Sequence, residues 1–467
     1  MKTVLRLIIV FFFTITSSSA QNWEGVGSEF PASIRSVYFD SINNYLYASG
    51  DFDFLNTEGR RLKGIARWDG LKWDSLGTGI DNAFGKCVFA LYNNELYVGG
   101  SFDSAGSVYS KCISKWDGVK WDSLPVNAFV GQVNSGVYVL ESIDGDLYLG
   151  GEFDSLMNSS CLGVAKWNGI NWTCLNFPAL PYTILRVYSI CKYQNEIYFG
   201  GLFKTTNAPN DTIQDIIKFD GMNWKSVGGG FHSTPFSGVS SMKVFNGELY
   251  VAGAFSKMYG DVGNYIQKWD GNVWTEVGGG VIGIAGSNGS ISDLIVYDNK
   301  LYAVGVFSFA GGVPAQYIAA WDGVNWCGFG SIFDNIILTA CVYDSTICIG
   351  GGFLTVDNDT VNKIAKWIGG NYVDTCGHIV SGVNEITNYN SFFLYPNPAQ
   401  SIINIEFENS ISESYTLNIV NVLGETVYFK QLNDPKLQIS VDDFPSGIYI
   451  VQVQNEKGIW SKKFIKQ

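Results

Sequence analysis

Hydrophobic and polar positions recur in the same order from residue 22 to about residue 376. Each unit is about 50 residues long and opens with a β-branched or aromatic run. A polar turn, a strand starting Leu-Tyr or Ile-Tyr, and two short aromatic strands around an Asp-Gly step follow. Short apolar runs bounded by Gly, Asn and Asp predict β-strands. Four strands and three reversals therefore predict one antiparallel sheet per unit.

Residues 86–124 show the unit most clearly. The pattern predicts strands over 87–91, 95–102, 113–116 and 121–124, with a turn at Asn93-Asn94. The Asp-Gly step between the third and fourth strands is expected because a tight reversal needs positive φ, which glycine adopts without steric cost. Trp116 and Trp121 flank this turn and are predicted to pair across the two strands.

The aromatic pair occurs in seven copies. They are Trp68/Trp73, Trp116/Trp121, Trp167/Trp172, Phe219/Trp224, Trp269/Trp274, Trp321/Trp326 and the degraded Trp367/Tyr372. Such a unit buries its apolar face only by stacking on its neighbours, so the repeat predicts an all-β, seven-bladed β-propeller over residues 21–376. Trp23 lies in a lone fourth-strand sequence, which is expected to pair with the third strand of the last unit and close the ring.

Residues that recur in every unit are expected to serve folding rather than ligand binding. This interpretation covers the tryptophans and the Asp of each Trp-Asp-Gly turn. It also covers the Gly-Gly pairs inside strands, where glycine indicates close approach of a neighbouring blade or backbone. These pairs are Gly99-Gly100, Gly150-Gly151, Gly200-Gly201 and Gly351-Gly352. A phosphate loop would need a following helix, which the pattern does not predict.

The strand ending in Gly-Gly and the spaced aromatic pair resemble the kelch repeat. The likeness is closer to the kelch-like repeats of exported surface proteins, including those of the fungal cell-polarity marker type, and covers residues 22 to about 376. It implies a propeller and no particular activity, because such propellers bind proteins, bind sugars or carry unrelated enzymes.

The periodicity stops after Cys376, where the polar residues 377–391 are interpreted as a linker. Residues 392–467 have a different pattern of alternating strands. Its landmarks are Tyr395-Pro396-Asn397-Pro398, a turn at Gly424, the strand entry at Gly447 and Tyr449, and the basic apolar tail Lys462-Lys463-Phe464. In this order they resemble the type A C-terminal sorting domain of type IX secretion in Bacteroidetes, a small immunoglobulin-like β-sandwich. The resemblance implies two partners, the type IX translocon and a sortase-like surface peptidase, with release or surface attachment of the protein.

The N-terminus has the pattern of a secretory signal peptide over residues 1–20. Lys2 and Arg6 precede an apolar run, and small residues precede Gln21. No other stretch approaches the ~18 apolar residues of a spanning helix. The mature chain is therefore expected to be secreted or displayed on the outer cell surface after periplasmic passage, with no transmembrane segment.

Charge and cysteine content limit the partners. The formal net charge of −13 disfavours nucleic acid and anionic lipid, whereas cations, proteins and neutral glycans remain open. The nine cysteines leave two interpretations open, disulfides or small buried apolar residues. Cys341 and Cys348 are the most suggestive pair, because they face each other if Asp344-Ser345 forms a two-residue turn.

Candidate chemistry is sparse. Two histidines are too few for a copper site of the galactose-oxidase type, and no Gly-x-Ser-x-Gly elbow accompanies them. The 43 acidic residues leave a glycosidase-type carboxylate pair open. Asp357-Asn358-Asp359 and Asp51-Phe52-Asp53 do not have the spacing of a calcium loop, so calcium is a weak alternative to the expectation of no metal or cofactor.

The leading hypothesis is a non-catalytic propeller that binds a protein or a glycan. A carboxylate-based glycan hydrolase or lyase and a passive structural component of the surface are the alternatives. Short turns are predicted at one end of each blade, and long, copy-specific loops such as Thr57–Lys63 and Thr205–Thr212 at the other. Because loops on a rigid scaffold can vary without unfolding it, the ligand is predicted on the long-loop face. The candidate contacts are Arg60, Arg61, Phe84, Phe129, Tyr182, Phe231, His232 and Phe236.

Overall fold

The computed structural model divides the chain into two compact units, residues 1–378 and 379–467. The first unit is described over residues 22–27, 30–81, 85–124, 129–130, 136–156, 159–178, 184–208, 211–231, 238–257, 260–284 and 288–369. The second is described over residues 392–407, 415–421, 426–432, 434–455 and 458–467. The predicted signal peptide and linker lie outside these ranges.

Seven four-stranded antiparallel sheets form the first unit, and we number them blades 1 to 7. The strands run from the inner to the outer edge as follows: blade 1, Ile34–Asp40, Tyr45–Leu55, Arg61–Trp68, Trp73–Asp74; blade 2, Val88–Tyr92, Glu95–Gly99, Ile113–Trp116, Trp121–Asp122; blade 3, Gly136–Ile143, Asp146–Glu152, Val164–Trp167, Trp172–Cys174; blade 4, Arg186–Tyr193, Glu196–Ala208, Asp211–Phe219, Trp224–Ser226. The remaining strands are blade 5, Val239–Phe245, Glu248–Gly253, Ile266–Trp269, Trp274–Glu276; blade 6, Ser290–Tyr297, Lys300–Val306, Ile318–Trp321, Trp326–Gly328; blade 7, Ile337–Tyr343, Thr346–Gly351, Ile364–Trp367, and Trp23–Gly25 from the N-terminus.

The ring is closed by the strand Trp23–Gly25, as the sequence predicts. Trp23 pairs with Trp367, and Gly25 with Ala365, in the antiparallel register of an ordinary outer strand. The rings of Trp23 and Trp367 have their centroids 5.0 Å apart. Each inner strand contacts the inner strand of the next blade, and that of blade 7 contacts that of blade 1. The two ends of the propeller sequence thus share one sheet, which gives a seven-bladed β-propeller.

The aromatic pairs pack within blades and also fasten one blade to the next. Trp116 lies opposite Trp121, with ring centroids 5.1 Å apart. The indole N–H of Trp121 donates to the carbonyl oxygen of Leu76 in the preceding blade at 2.8 Å, and that of Trp326 donates to Val277 at 2.9 Å. These side chains are buried, so each bond satisfies a polar group that would otherwise be costly to bury. Recurrence of the tryptophans therefore has a structural cause.

The Gly-Gly pairs lie where atoms approach too closely for a side chain. A Cβ at Gly200 would lie 2.4 Å from the Val239 side chain of the next blade, and one at Gly201 would lie 1.9 Å from the Arg186 carbonyl oxygen. In blade 7 the equivalent pair is Gly350-Gly351, one residue before the predicted Gly351-Gly352, because Gly351 is the residue that meets a backbone oxygen. The packing interpretation is confirmed with this shift.

Connections between the second and third strands are more ordered than predicted. Thr205–Thr212, predicted as a loop, belongs to the extended hairpin of Glu196–Ala208 and Asp211–Phe219. Shorter hairpins occur in other blades, and in three places a strand from the interblade segment pairs with one of them. The three small sheets are Ile80–Asp81 with Ser104–Ala105 and Val108–Tyr109; Phe129–Val130 with Ser155–Leu156 and Ser159–Ser160; and Val281–Ile282 with Phe309–Ala310 and Val313–Pro314. In blade 7, Thr355–Val356 and Asp359–Thr360 form a two-stranded hairpin. The loop prediction was wrong at Thr205–Thr212 because a polar segment can extend a hairpin when its backbone groups pair.

The described cysteines include both bridged and free residues. Cys161 and Cys174 of blade 3 form a disulfide, and Cys327 is also disulfide-bonded. Cys341 and Cys348 face each other across the inner hairpin of blade 7, as predicted, but remain as free thiols. Their position inside the blade corresponds to the alternative of small buried side chains.

The second unit is a two-sheet β-sandwich. One sheet contains Phe392–Tyr395, Ile402–Phe407 and Lys436–Ser440; the other contains Thr426–Leu432, Tyr415–Asn421, Gly447–Asn455 and Gly458–Lys466. Ile405 from the first sheet and Leu417, Val451 and Phe464 from the second are fully buried in one shared core. In the described residues, no helix is long and apolar enough to cross a membrane.

Candidate functional site

The inner strands of all seven blades line a central channel with a cavity of about 150 Å³. The channel wall is polar because many blades contribute a hydroxyl or a charged side chain instead of a repeated apolar one. The hydroxyl-bearing residues on the wall are Ser36, Tyr38, Tyr138, Tyr188, Ser189, Ser240, Ser241, Ser292 and Thr339. The charged ones are Lys86, Glu141, Lys243 and Asp293.

Asp293 joins blades 5, 6 and 7 around the channel. One carboxylate oxygen accepts from the Leu294 backbone N–H at 2.9 Å and from the Ser241 hydroxyl at 3.2 Å. The other accepts from the Ala340 N–H at 3.3 Å and from the Thr339 hydroxyl at 3.4 Å. Both oxygens are therefore occupied, which identifies Asp293 as a structural joint between blades.

Lys86, Glu141 and Lys243 are different from Asp293. Among the described residues, none of their charged groups has a hydrogen bond or an ion pair at close range. Burial lowers the pKa of the Lys86 ammonium, and the charge of Asp293 opposes this effect only in part. Burial also raises the pKa of Glu141, and the charge of Lys243 opposes that rise. Lys86 is exposed to the channel, and Glu141 and Lys243 are half-buried. All three charged groups therefore face channel solvent and are available to a ligand.

Tyr138 and Tyr188 stand at the start of two neighbouring inner strands, three residues before Glu141 and Cys191. Their ring centroids are 5.6 Å apart. The Tyr138 hydroxyl donates to Glu152 at 3.0 Å, and the guanidinium of Arg186 donates to the same carboxylate at 2.9 Å. At about 3.3 Å per residue, the tyrosines lie about 10 Å nearer the long-loop face than Glu141 does. They mark one mouth of the channel.

Three of the predicted ligand contacts, Arg60, Arg61 and Phe231, have described side chains, and none of the three lines this channel. Arg60 binds Asp74 with its Nη1 at 2.7 Å, and Arg61 binds both oxygens of Asp53 at 2.6 Å, so both arginines are paired within blade 1. Phe231 is 2% exposed, and its ring lies 4.3 Å from that of Phe255 in the core of blade 5. Phe231 therefore packs in the core instead of facing solvent.

The other predicted contacts have no described side chain. Phe129 lies in the short strand Phe129–Val130, of which only the backbone pairing with Ser155–Leu156 is described. Phe84, Tyr182, His232 and Phe236 lie outside the described residues. Their role in binding stays a prediction.

The candidate calcium ligands are engaged in other contacts. Asp51 pairs with Arg35 at 2.6 Å, and Asp53 with Arg61, while Asp357 accepts the Ile332 N–H at 2.7 Å. In the described ranges no group of three or more His, Cys, Asp or Glu side chains is placed to hold a metal ion.

Glu141 and Lys243 were missed by the sequence interpretation although a signal exists. In each inner strand one residue lies opposite the second residue of the Leu-Tyr or Ile-Tyr pair, or opposite Cys348 in blade 7. The seven residues are Tyr38, Ala90, Glu141, Cys191, Lys243, Ile295 and Cys341. Folding does not require a charge at a position where other copies carry Ala or Ile, so a charge there indicates a copy-specific role.

The predicted sorting residues come together in the second unit. The Asn397 side chain donates to the Lys463 carbonyl at 3.0 Å and accepts the Ile465 N–H at 2.9 Å, so the Tyr-Pro-Asn-Pro segment holds the last strand. The rings of Tyr449 and Phe464 stack with centroids 5.4 Å apart. Pro396 and Pro398 both follow cis peptide bonds, and the Gly424 turn lies outside the described residues.

Comparison with known families identifies the second unit. Residues 393–467 match the family of secretion system C-terminal sorting domains. The chain ends in a type IX sorting domain. This domain indicates that the protein is exported to the cell surface or secreted, and it implies handling by the type IX machinery. The chain as a whole has no match among curated proteins.

Solved structures with similar folds include proteins of different kinds. PorZ of Porphyromonas gingivalis, an essential surface component of the type IX secretion system, has 13% identity and a TM-score of 0.46 over 94% of this chain. The chain covers 60% of the length of PorZ. The GH74 enzyme of Niastella koreensis has 12% identity and a TM-score of 0.37, over 95% of this chain and 80% of that enzyme. GH43B of the Bacteroides ovatus xyloglucan locus has 12% identity and a TM-score of 0.29, over 84% and 91%.

Proposed function

We propose that the protein is an exported, non-catalytic binding propeller of the kelch-like type. Its ligand is a polar molecule or the polar end of a glycan or protein, and it enters the central channel from the long-loop face. The observation that carries this proposal is the set of three charged side chains, Lys86, Glu141 and Lys243, which line the cavity without a close partner in the described part of the chain. These side chains face channel solvent without a close partner among the described residues, so a ligand that brings complementary polar groups can pair with them directly.

Binding is favoured over hydrolysis by the state of the two channel carboxylates. A glycoside hydrolase of the usual kind needs two carboxyl groups free to act on the substrate. Both oxygens of Asp293 already accept hydrogen bonds from blades 5, 6 and 7, which leaves Glu141 as the available carboxylate of the described channel wall. A single carboxylate suits recognition of a polar group better than glycosidic cleavage.

The test is a binding screen of the mature chain against neutral and acidic oligosaccharides and surface proteins of the producing cell. The channel variant carries Lys86→Met, Glu141→Gln and Lys243→Met together, and the matched control carries Lys120→Met in an exposed turn of blade 2. We expect at least a tenfold loss of affinity in the channel variant and none in the control. Equal affinity of the channel variant and the parent for every ligand found would refute the proposal, as would turnover of a bound glycan.

A further inference from the structure

We infer that Lys86 is the anion-binding group of the channel, and that the ligand is a hydroxyl-rich molecule with a carboxylate, of which a hexuronic acid is the simplest. This inference rests on the proposed function and adds the chemical class of the ligand. Lys86 precedes the inner strand of blade 2 by two residues, near the end at which the long interblade segments enter the channel.

Other cations near the channel are already compensated. The guanidinium of Arg35 donates to the Asp51 carboxylate at 2.7 Å, and that of Arg186 donates to the Glu152 carboxylate at 2.9 Å. Burial raises the pKa of Glu141 and the charge of Lys243 lowers it, so the two opposite charges lie within electrostatic range and together add little net attraction for an anion. Among the described residues of the channel and its mouth, Lys86 and Lys243 have no carboxylate in direct contact, and Lys86 is the one whose charge Glu141 does not offset.

Asp293 does not remove the positive character of Lys86. Its charge is felt at Lys86, but both of its oxygens are held by backbone N–H groups and hydroxyls of blades 5, 6 and 7. A carboxylate brought by a ligand can instead make a direct, charge-assisted hydrogen bond to the ammonium group.

The rest of the channel wall suits a sugar ring. Tyr138 and Tyr188 present aromatic rings at the mouth, and Tyr138 is held in place by its hydrogen bond to Glu152. The serine hydroxyls of Ser189 and Ser292 line the wall and can donate to or accept from ligand hydroxyls. An apolar ligand would leave these groups unpaired, whereas a polyhydroxylated one would pair them.

The experiment compares D-glucuronate with D-glucose, which differ only in the carboxylate, by calorimetric titration and ligand-observed NMR of the mature chain. We expect glucuronate to bind at least tenfold more tightly than glucose. In Lys86→Met this preference should disappear, with the melting temperature unchanged. Lys86→Arg should keep the preference, and so should the matched control Lys120→Met.

Three results would overturn the inference. They are equal or weaker binding of glucuronate relative to glucose, absence of binding by either sugar, and an unchanged preference in Lys86→Met. Acetate gives a further arm, because it carries the charge without hydroxyls; if it binds as well as glucuronate, the site takes a simple anion and the sugar assignment is wrong. A neutral ligand that is lost in the triple channel variant but not in Lys86→Met would refute the inference while leaving the proposed function intact.

Discussion

Replacing Trp23 with alanine should open the propeller at its closing strand. Trp23 is 1% exposed and makes aromatic contacts with Trp367, Phe329 and Phe333 at centroid distances of 5.0, 5.8 and 5.7 Å. Its indole N–H also donates to the Ser331 hydroxyl at 3.2 Å. The strand that it anchors has only three residues, so few other contacts can hold it in the sheet.

The expected loss follows from these contacts. Truncating a buried Phe or Trp to alanine costs about 3 to 5 kcal/mol, because apolar area is lost and a cavity remains. Three aromatic contacts and one buried hydrogen bond place Trp23 in the upper part of this range. Trp121→Ala is the matched control: Trp121 is 5% exposed and has a comparable pair and indole bond, but its outer strand is continuous with its own blade.

The two variants are compared with the parent by urea unfolding and by native-state hydrogen exchange. Both should lose about 3 to 5 kcal/mol of propeller stability. In Trp23→Ala alone, amide exchange should accelerate in Trp23–Gly25 and in its partner Ile364–Trp367, because the ring opens there before it unfolds. A loss below about 1 kcal/mol, or identical exchange in both variants, would refute the closure argument.

Three further predictions concern the turn, the disulfide and the tail. Two turn N–H groups hold the pKa of Asp270 below its usual range, so its stabilising contribution is present above about pH 4 and is lost as the pH falls through its folded pKa. The variant Asp270→Asn copies Asn168 of blade 3 and should keep the turn while flattening the acid dependence of stability, measured by urea unfolding at several pH values. An unchanged acid dependence would contradict this. Replacing Cys161 and Cys174 together with alanine should cost about 2 to 4 kcal/mol in urea unfolding, and a loss near zero would contradict the role of the bridge. Deleting Lys462–Gln467 should leave the propeller folded but retain the chain in the periplasm, as measured by fractionation and circular dichroism; normal surface display would exclude the sorting role.

The ring could be predicted because its signals are local and repeated. Turn glycines, Leu-Tyr strands and aromatic pairs each follow from backbone or packing requirements of a single blade, and copying them seven times makes the signal hard to miss. Ring closure by Trp23 could also be predicted, because the sequence around Trp23 matches the fourth strand of a unit whose first three strands are missing at the N-terminus. The order of the extended hairpin around Thr205–Thr212 could not be predicted, because its strands are stabilised by backbone pairing that polar side chains do not reveal.

The candidate site was harder to predict for a different physical reason. Sequence reasoning placed the ligand on variable loops and named Arg60 and Phe231, yet one is ion-paired within its blade and the other is buried in a blade core. Exposure and pairing depend on tertiary neighbours that are distant in the sequence. Glu141 and Lys243 come from blades 3 and 5, about 100 residues apart in the sequence, and only the fold brings their charges within electrostatic range.

A repeat protein uses the same position of its blade seven times, and folding needs only that each copy be compatible with packing. At the inner-strand position that carries Glu141 and Lys243, other blades carry Ala90 and Ile295, which shows that an apolar residue satisfies the scaffold there. A partly buried charge at such a position loses part of its hydration and gains less from packing than an apolar residue does. Residues that depart from the repeat toward a less stable choice are therefore better guides to function than residues that define it. By this criterion the search for the ligand begins in the channel rather than at the conspicuous tryptophans.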